Sequence, residues 1–504
     1  MKKNLIILLI TAVTLSSCGD WLDINHDPNA LEEIPTDKVQ VLLPAAEVGI
    51  ANNLMGWHFG FGGGFWVQYW TQSATASQFK ALCEYQPESF STAYQSLLSQ
   101  PLTDLERIKS MTAESGNKGY YFVAEALSIY TWQLMTDLWG DIPYVEALQG
   151  SEGVLHPKQD KQQDIYADLQ VRVDKLLGID VGSASIEGGS DFIFKGNMEQ
   201  WYRFAGSLKL KLMLRLSETG DYDNEAVKTF IESADLLTVS ASVPGSIWND
   251  AMEGKRHPMR EFQEGGANYF STNVVACKSF FDYLLVNGDP RFAKLFSGTK
   301  AAFFGDFGSK MDSDGNGTTD DKETYAKVVL TANMDIPLIS AWEVNFQLAE
   351  VYARAGNDAK AKEYYETGVK ASLAQHGITG ADSIVEAGGY AEWQSPTGEA
   401  AVKQIAMQKW VANCNYQHAE AFIERNRTKY PSVNDIDIAS NRQSAWDNFP
   451  VGELTISVAG RGTLNGKLPA SPTYPEAYIS RNNNAPAQKA NIGEPVWWNQ
   501  KAGK

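Results

Sequence analysis

The sequence predicts an all-α fold built from tetratricopeptide-like helix pairs, together with a loop-rich, irregular part. Three segments support this prediction, because their apolar side chains recur three and four residues apart, which is the period of a buried helix face. The first two carry these stripes on Val123, Ala126, Leu127, Tyr130, Leu134 and Leu138, and on Trp201, Phe204, Ala205, Leu208 and Leu212. The third, from Ala341 to Leu373, has two stripes separated by Gly356-Asn357-Asp358, which is the pattern of one tetratricopeptide unit.

The N-terminus has the layout of a secretory signal. Lys2 and Lys3 precede an apolar run of 11 residues from Leu5 to Leu15, and small residues lead to Cys18. This run is too short to span a bilayer, which takes about 20 apolar residues. Because Leu15-Ser16-Ser17-Cys18 resembles the bacterial lipobox, we predict a signal peptide over 1–17, acylation of Cys18 and a tether over 18–37, with lipid as the only membrane attachment. An ordinary signal peptide with an incidental cysteine is the alternative.

Residues 38–504 are predicted to form a single domain. Helical repeats extend over about 38–236 and 336–430, and the second stretch ends in an amphipathic helix from Glu399 to Thr428. The stretches 237–335 and 431–504 are rich in Gly, Asn, Ser and Pro without a helical period, so we predict that they are the loop-rich parts.

The net charge limits the classes of partner, and the cysteine spacing indicates how the fold is held together. The chain has 61 Asp and Glu against 43 Lys and Arg, a formal net charge of −18, which argues against nucleic acid or an anionic lipid surface as a partner. Cys83, Cys277 and Cys414 are widely spaced and form no CxxC pair. We therefore expect core packing, rather than a disulfide framework, to hold the fold together.

The segment from Asp312 to Glu323 matches the calcium-loop pattern D-x-[DN]-x-[DN]-G-x5-E. The predicted ligands are the side chains of Asp312, Asp314 and Asn316, the carbonyl of Thr318, Asp320 directly or through water, and a bidentate Glu323. The sequence has no second loop of this kind, so we predict a solitary, structural Ca²⁺ site rather than a calcium sensor. A solvated turn without metal is the alternative.

Aromatic residues around Gly60 and Gly62-Gly63-Gly64 form a second candidate site, because rings on a glycine-rich loop can stack on sugars. Tyr85 and Trp248, in or beside predicted loops, extend this platform. The predicted ligand contacts are Trp57, Phe61, Trp66, Tyr85 and Trp248. A competing interpretation is that part of the cluster packs inward, because Phe65, Trp66, Tyr69 and Trp70 also have helical spacing.

Motifs of common enzyme classes are missing from the sequence. The six histidines include no pair spaced as zinc ligands, and there is no GxSxG elbow and no GxxxxGK[ST] phosphate loop. We therefore predict a binding protein, not an enzyme. The enzymatic alternative is a helical glycoside hydrolase, which needs two carboxylates about 5 to 9.5 Å apart across a cleft.

A series of motifs runs through the mature chain. They are Cys18-Gly19-Asp20-Trp21-Leu22-Asp23 with Asp27-Pro28-Asn29, Asp137-Leu138-Trp139-Gly140-Asp141-Ile142-Pro143-Tyr144, Asn287-Gly288-Asp289-Pro290-Arg291, Trp342 to Ala355, Gln408-Lys409-Trp410 with Arg425-Asn426-Arg427-Thr428, and Tyr474-Pro475-Glu476. Together they resemble the SusD-like (SusD/RagB) lipoproteins of Bacteroidetes. One departure is the absence of the arginine that often precedes the last motif, which weakens residue-by-residue transfer near the C-terminus.

The resemblance implies about four tetratricopeptide-like units and a lipid-anchored position on the outer-membrane surface. It also implies that the protein caps a SusC-like, TonB-dependent transporter and captures a nutrient, an oligosaccharide, before import. Capture of peptides or another nutrient by the same architecture stays open. So does a structural lid whose only ligand is the transporter.

Overall fold

The computed structural model describes residues 39–74, 76–264, 269–307 and 325–503. The predicted signal peptide, Cys18, the tether and the predicted calcium loop from Asp312 to Glu323 lie outside the described residues. Gln40–Lys504 forms one compact unit. In the part of the chain that the structure describes, no helix is long and apolar enough to cross a membrane.

Helices make up most of the described chain. In order, they are α1 (Val39–Leu54), α2 (Gly63–Trp66), α3 (Lys80–Cys83), α4 (Ser91–Leu97), α5 (Thr103–Ser115), α6 (Lys118–Trp139), α7 (Gln162–Leu177), α8 (Met198–Arg215), α9 (Asn224–Ser233), α10 (Pro258–Glu264), α11 (Tyr269–Asn273), α12 (Lys278–Val286), α13 (Phe292–Leu295), α14 (Ala341–Arg354), α15 (Asp358–Gln375), α16 (Glu399–Asn413), α17 (His418–Thr428), α18 (Arg442–Asp447) and α19 (Glu476–Arg481). Two π-helical segments, Trp57–Gly62 and Leu98–Leu102, continue into α2 and α5.

Four pairs of neighbouring helices form the scaffold: α5 with α6, α7 with α8, α14 with α15, and α16 with α17. The pairs also contact one another, since α6 packs on α7 and α8, and α14 packs on α8 and α16. This arrangement confirms the predicted all-α fold of about four tetratricopeptide-like units. The three periodic segments of the sequence become α6, α8 and the α14–α15 pair.

Local sequence signals set the helix boundaries. The Asn117 side chain accepts a hydrogen bond from the backbone at the start of α6, and Ser340 and Asn357 do the same for α14 and α15. Such caps satisfy backbone N–H groups that have no partner within the helix. At the other end, α6 stops before Gly140, whose φ of +82° is unfavourable for residues with a side chain.

The predicted helix from Glu399 to Thr428 is wrong as a single element, because the chain turns at residues 414–417 between α16 and α17. Asn415 has a φ of +68° in this turn, a left-handed conformation that asparagine adopts more readily than most residues. Its backbone N–H donates to His418 Nε2 at 2.8 Å. Because the helical period of apolar residues continues in α16 and in α17, the sequence pattern does not indicate the turn between them.

The predicted loop-rich parts also contain regular structure. The stretch 237–335 includes α10 to α13, and 431–504 includes α18 and α19, so loops account for only part of each. The described residues also contain four two-stranded sheets of short strands. Three are antiparallel: β1 (Trp70–Gln72) with β3 (Val274–Ala276), β2 (Ala241–Val243) with β6 (Ile336–Ile339), and β4 (Phe296–Ser297) with β5 (Lys327–Val328). The fourth pairs β7 (Val433–Asn434) with β8 (Leu454–Thr455) in parallel.

A buried network of ion pairs joins the helix pairs. Arg215 of α8 contacts Asp137 of α6 at 3.0 Å and Glu420 of α17 at 2.8 Å. Lys211, one turn earlier in α8, bridges Glu420 at 2.7 Å and Glu343 of α14 at 2.6 Å. Each of these side chains is at most 7% exposed. Charges this deep are tolerated only because several partners surround each one.

Candidate ligand-binding cleft

The aromatic segment from Trp57 to Trp66 is helical, so the predicted glycine-rich loop is wrong. Its glycines have a packing role instead. A Cβ on Gly63 would lie 2.7 Å from the backbone of His418, and one on Gly64 would lie 2.8 Å from the His418 ring. Only glycine permits this close approach of α2 to the start of α17.

Three of the predicted ligand contacts lie in the core. Phe61, Trp66 and Tyr85 are 0%, 2% and 1% exposed. Trp66 stacks on Phe90 with ring centroids 5.0 Å apart and donates from Nε1 to a backbone carbonyl. The hydroxyl of Tyr85 accepts a hydrogen bond from the backbone N–H of Ser457. These three rings are therefore out of reach of a ligand in solution, and the inward-packing interpretation is the one that agrees with the structure.

Trp57, in contrast, is partly exposed and forms one wall of a cleft of about 290 Å³. The back of its indole is supported by Phe61, Phe79 and Phe262, whose ring centroids lie 5.6, 4.9 and 4.9 Å away. This support fixes the ring while one side faces the cleft. Trp57 also begins a π-helical segment, an irregularity that is often found at functional sites.

Polar side chains of two helices complete the cleft. The other lining residues are Asn52, Asn53, Gly56, His58, Thr92, Ala93 and Ser96. Asn53, in the last turn of α1, donates from Nδ2 to the Gly49 carbonyl at 2.8 Å and to Ser96 Oγ at 3.1 Å. These bonds hold its carboxamide in place. Asn52 and Thr92 are exposed at the rim.

His58 adds an imidazole to the cleft. Its Nδ1 lies 3.9 Å from Glu88 Oε1, and its ring lies 5.5 Å from the Phe90 ring. Burial lowers the pKa of His58, while the negative charge of Glu88 opposes this shift. The imidazole is therefore neutral at neutral pH and presents one hydrogen-bond donor and one acceptor.

Trp248 lies away from this cleft. Its ring makes an edge contact with His257, just before α10, whereas Trp57 contacts Phe262 near the other end of the same helix. The two tryptophans thus flank α10 instead of forming one flat platform. Trp248 is partly exposed, and its contact with a ligand stays a prediction.

The polar residues of the cleft were not among the predicted ligand contacts. Asn52 and Asn53 directly precede the aromatic segment, and Thr92 and Ser96 are four residues apart in α4, which places them on one helix face. No pattern in the sequence indicates that α1 and α4 meet here, so only the fold brings these groups together.

A family described as starch-binding and associating with the outer membrane matches residues 28–448. The chain belongs to the SusD-like family. This confirms the resemblance drawn from the motifs and identifies the protein as a member of a family of binding proteins associated with the outer membrane.

Solved structures show the same fold over nearly the whole chain. A SusD homolog from Bacteroides uniformis is 20% identical, with a TM-score of 0.67, and the match covers 91% of this chain and 99% of the homolog. A SusD-like protein of Bacteroidetes is 19% identical with a TM-score of 0.70, and a chitin-binding protein is 18% identical with a TM-score of 0.68; each match covers 92% of this chain and 100% of the other. No curated protein matches the chain by sequence.

Proposed function

We propose that this protein captures an oligosaccharide at the cell surface in the Trp57 cleft and delivers it, chemically unchanged, to a SusC-like, TonB-dependent transporter. The observation that carries the proposal is the combination in one cleft of a supported, partly exposed indole with carboxamides, hydroxyls and a neutral imidazole.

These groups suit a neutral sugar. The apolar face of a pyranose packs on an aromatic ring, and its hydroxyls each need a donor or an acceptor. Asn52, Asn53, Thr92 and Ser96 supply both kinds of group without a net charge. The family description names starch, and one relative with this fold is named a chitin-binding protein. Both polymers are neutral glycans, and we propose the same ligand class for this chain.

A glycan-array and peptide-library screen of the protein tests the ligand class. We expect a neutral oligosaccharide to bind and to stay intact during a product assay. Asn52→Ala should weaken that binding by about 0.5–1.5 kcal/mol, because one hydrogen-bonding carboxamide is lost from the rim. Asn483→Ala, which removes an exposed carboxamide outside the cleft, is the matched control. Peptide binding without glycan binding, or release of cleaved products, would overturn the proposal.

Membrane attachment and the transporter complete the proposed role. We propose that acylated Cys18 anchors the protein, as the lipobox-like sequence indicates. Purification of the protein from outer membranes in mild detergent should recover a TonB-dependent barrel in a fixed ratio. Recovery of the protein alone from cells that make such barrels would contradict the delivery step.

We also propose that the loop from Asp312 to Glu323 binds one structural Ca²⁺. The support is the match of its oxygen-bearing residues to the spacing of a calcium loop. Equilibrium dialysis with calcium should give one bound ion per chain. Titration without saturable calcium binding would rule out the site.

A further inference from the structure

A small pocket at the end of α17 collects basic side chains in an otherwise acidic protein. Arg425, Lys429, Lys467 and Lys501 line this pocket of about 160 Å³, and none of the lining residues that the structure describes is acidic. The whole chain has a net charge of −18, so a pocket lined by four cationic side chains differs in charge from the protein as a whole. The pocket shares no lining residue with the Trp57 cleft.

Lys429 lies close enough to Arg425 and Lys501 for their positive charges to repel its ammonium. Burial and the like charges of Arg425 and Lys501 together lower the pKa of Lys429 to about 8. Burial also lowers the pKa of Arg425 to about 10, although Tyr85 opposes the shift. The ammonium of Lys501 also pairs with the carboxylate of Glu399, which does not line the pocket.

Two amide side chains, Asn426 and Asn499, also line the pocket. Lys429 donates from Nζ to Asn499 Oδ1 at 2.7 Å. Asn426 donates from Nδ2 to the Phe422 carbonyl at 3.2 Å within α17. The volume is about five times the share of one water molecule in the liquid, about 30 Å³, so it accommodates a carboxylate or sulfate group.

We propose that this pocket is an anion-binding site for a carboxylate or sulfate group. An anion there relieves the repulsion that Arg425 and Lys501 exert on Lys429, and it accepts charge-assisted hydrogen bonds from the lysine ammonium groups that line the pocket. The overall negative charge of the protein disfavours an extended polyanion or an anionic membrane, so a single small group fits best. This site goes beyond the proposed capture of a neutral oligosaccharide and does not depend on it.

Two sources can supply such a group: an inorganic anion, or the acidic substituent of a saccharide. Titration calorimetry with sodium sulfate, sodium glucuronate and neutral glucose, at constant ionic strength, separates them. We expect saturable binding of at least one anion and none of glucose. Binding of sulfate without binding of glucuronate indicates that the natural ligand is an inorganic anion. Tighter binding of glucuronate than of sulfate indicates an acidic saccharide. Failure of both anions to bind saturably would overturn the proposal.

Variants locate the binding in the pocket. Lys429→Gln removes one charge but keeps a donor for Asn499, and it should weaken anion binding about tenfold or more. Lys467→Gln, at an exposed position, should weaken binding in the same direction without affecting the fold. Lys255→Gln, an exposed lysine outside the pocket, is the control and should bind like the wild type. Undiminished binding by both pocket variants would place the anion elsewhere.

Nuclear magnetic resonance of labelled lysine side chains gives a readout that does not depend on affinity or on a variant. A bound anion should raise the pKa of Lys429, because it adds a negative charge beside the ammonium. An unchanged titration of Lys429 at a saturating anion concentration would contradict the site.

Discussion

The guanidinium of Arg215 offers a direct test of how the helix pairs are held together. Its side chain is 1% exposed and makes ion pairs with Asp137 at 3.0 Å, with Glu420 at 2.8 Å and with Glu424 at 2.5 Å. The substitution Arg215→Met keeps an unbranched apolar stem but removes the guanidinium and its charge. Removing one partner of a buried ion pair costs about 3–5 kcal/mol, because the remaining charge loses its compensation.

The contacts that the three carboxylates keep after Arg215→Met decide where in the range of about 3–5 kcal/mol the cost falls. Glu420 keeps Lys211 at 2.7 Å, and Glu424 keeps Lys409 at 2.9 Å, so these two carboxylates retain a cation. Asp137 has no second ion pair among the described residues and keeps only hydrogen bonds, such as those from Tyr166 and Gln133. With one carboxylate left without a cation rather than three, we expect a loss of about 3 kcal/mol at neutral pH.

The stability that Arg215→Met loses should depend on pH. Burial raises the pKa of Asp137 to about 6, although Arg215 opposes this shift. A carboxyl whose pKa is higher in the folded than in the unfolded state destabilises the fold as the pH rises from the unfolded through the folded pKa. Without Arg215 the folded pKa of Asp137 rises further, so the variant keeps losing stability above about pH 6. Each further pKa unit adds about 1.4 kcal/mol to the difference from the wild type.

Urea denaturation followed by circular dichroism, at about pH 5 and about pH 8, measures this difference. The matched control is Arg203→Met, the same change in the same helix, because Arg203 pairs with the exposed Glu199 and Asp235. Such surface pairs contribute at most about 1 kcal/mol. If Arg215→Met costs no more than the control, or costs the same at the two pH values, then Arg215 does not compensate the buried charge of Asp137.

Three further predictions follow from the packing and the motifs. Gly63→Ala should cost about 1–3 kcal/mol, since its Cβ meets the backbone of α17 at 2.7 Å, whereas Gly220→Ala, with open space around it, should change unfolding little. Cys18→Ser should move the protein from the membrane to the soluble fraction in cell fractionation; retention in the membrane would disprove the lipid anchor. The double substitution of Asp312 and Asp314 by Ala should abolish calcium-dependent protection of 303–325 from proteolysis and leave the helical core folded, and a global loss of helix by circular dichroism would contradict a local clamp.

The fold was predictable where one side of a helix carries a regular apolar stripe. The stripes of α6, α8, α14 and α15 follow directly from the sequence, and so does the turn between α14 and α15 at Gly356. The break between α16 and α17 was not predictable in this way, because it depends on a left-handed Asn415 and a hydrogen bond to His418 rather than on a change of period.

The candidate site was predictable only in part. Trp57 lines a cleft, but the neighbouring glycines, which suggested a loop, instead allow α2 to approach α17. Burial of Phe61 and Trp66 depends on rings far away in the sequence, such as Phe262 and Phe422. A one-dimensional pattern does not contain these contacts, and the same limit hid the carboxamides and hydroxyls around Trp57.

The most direct test of oligosaccharide capture is a calorimetric titration of the preferred array ligand into the wild type and Trp57→Ala. Trp497→Ala, a partly exposed tryptophan outside the cleft, is the control. Loss of a central aromatic contact costs about 2 kcal/mol or more, so we expect Trp57→Ala to weaken binding about thirtyfold and the control to bind normally. Equal affinity of the wild type and Trp57→Ala would show that the ligand binds elsewhere and would contradict the proposed role of this cleft.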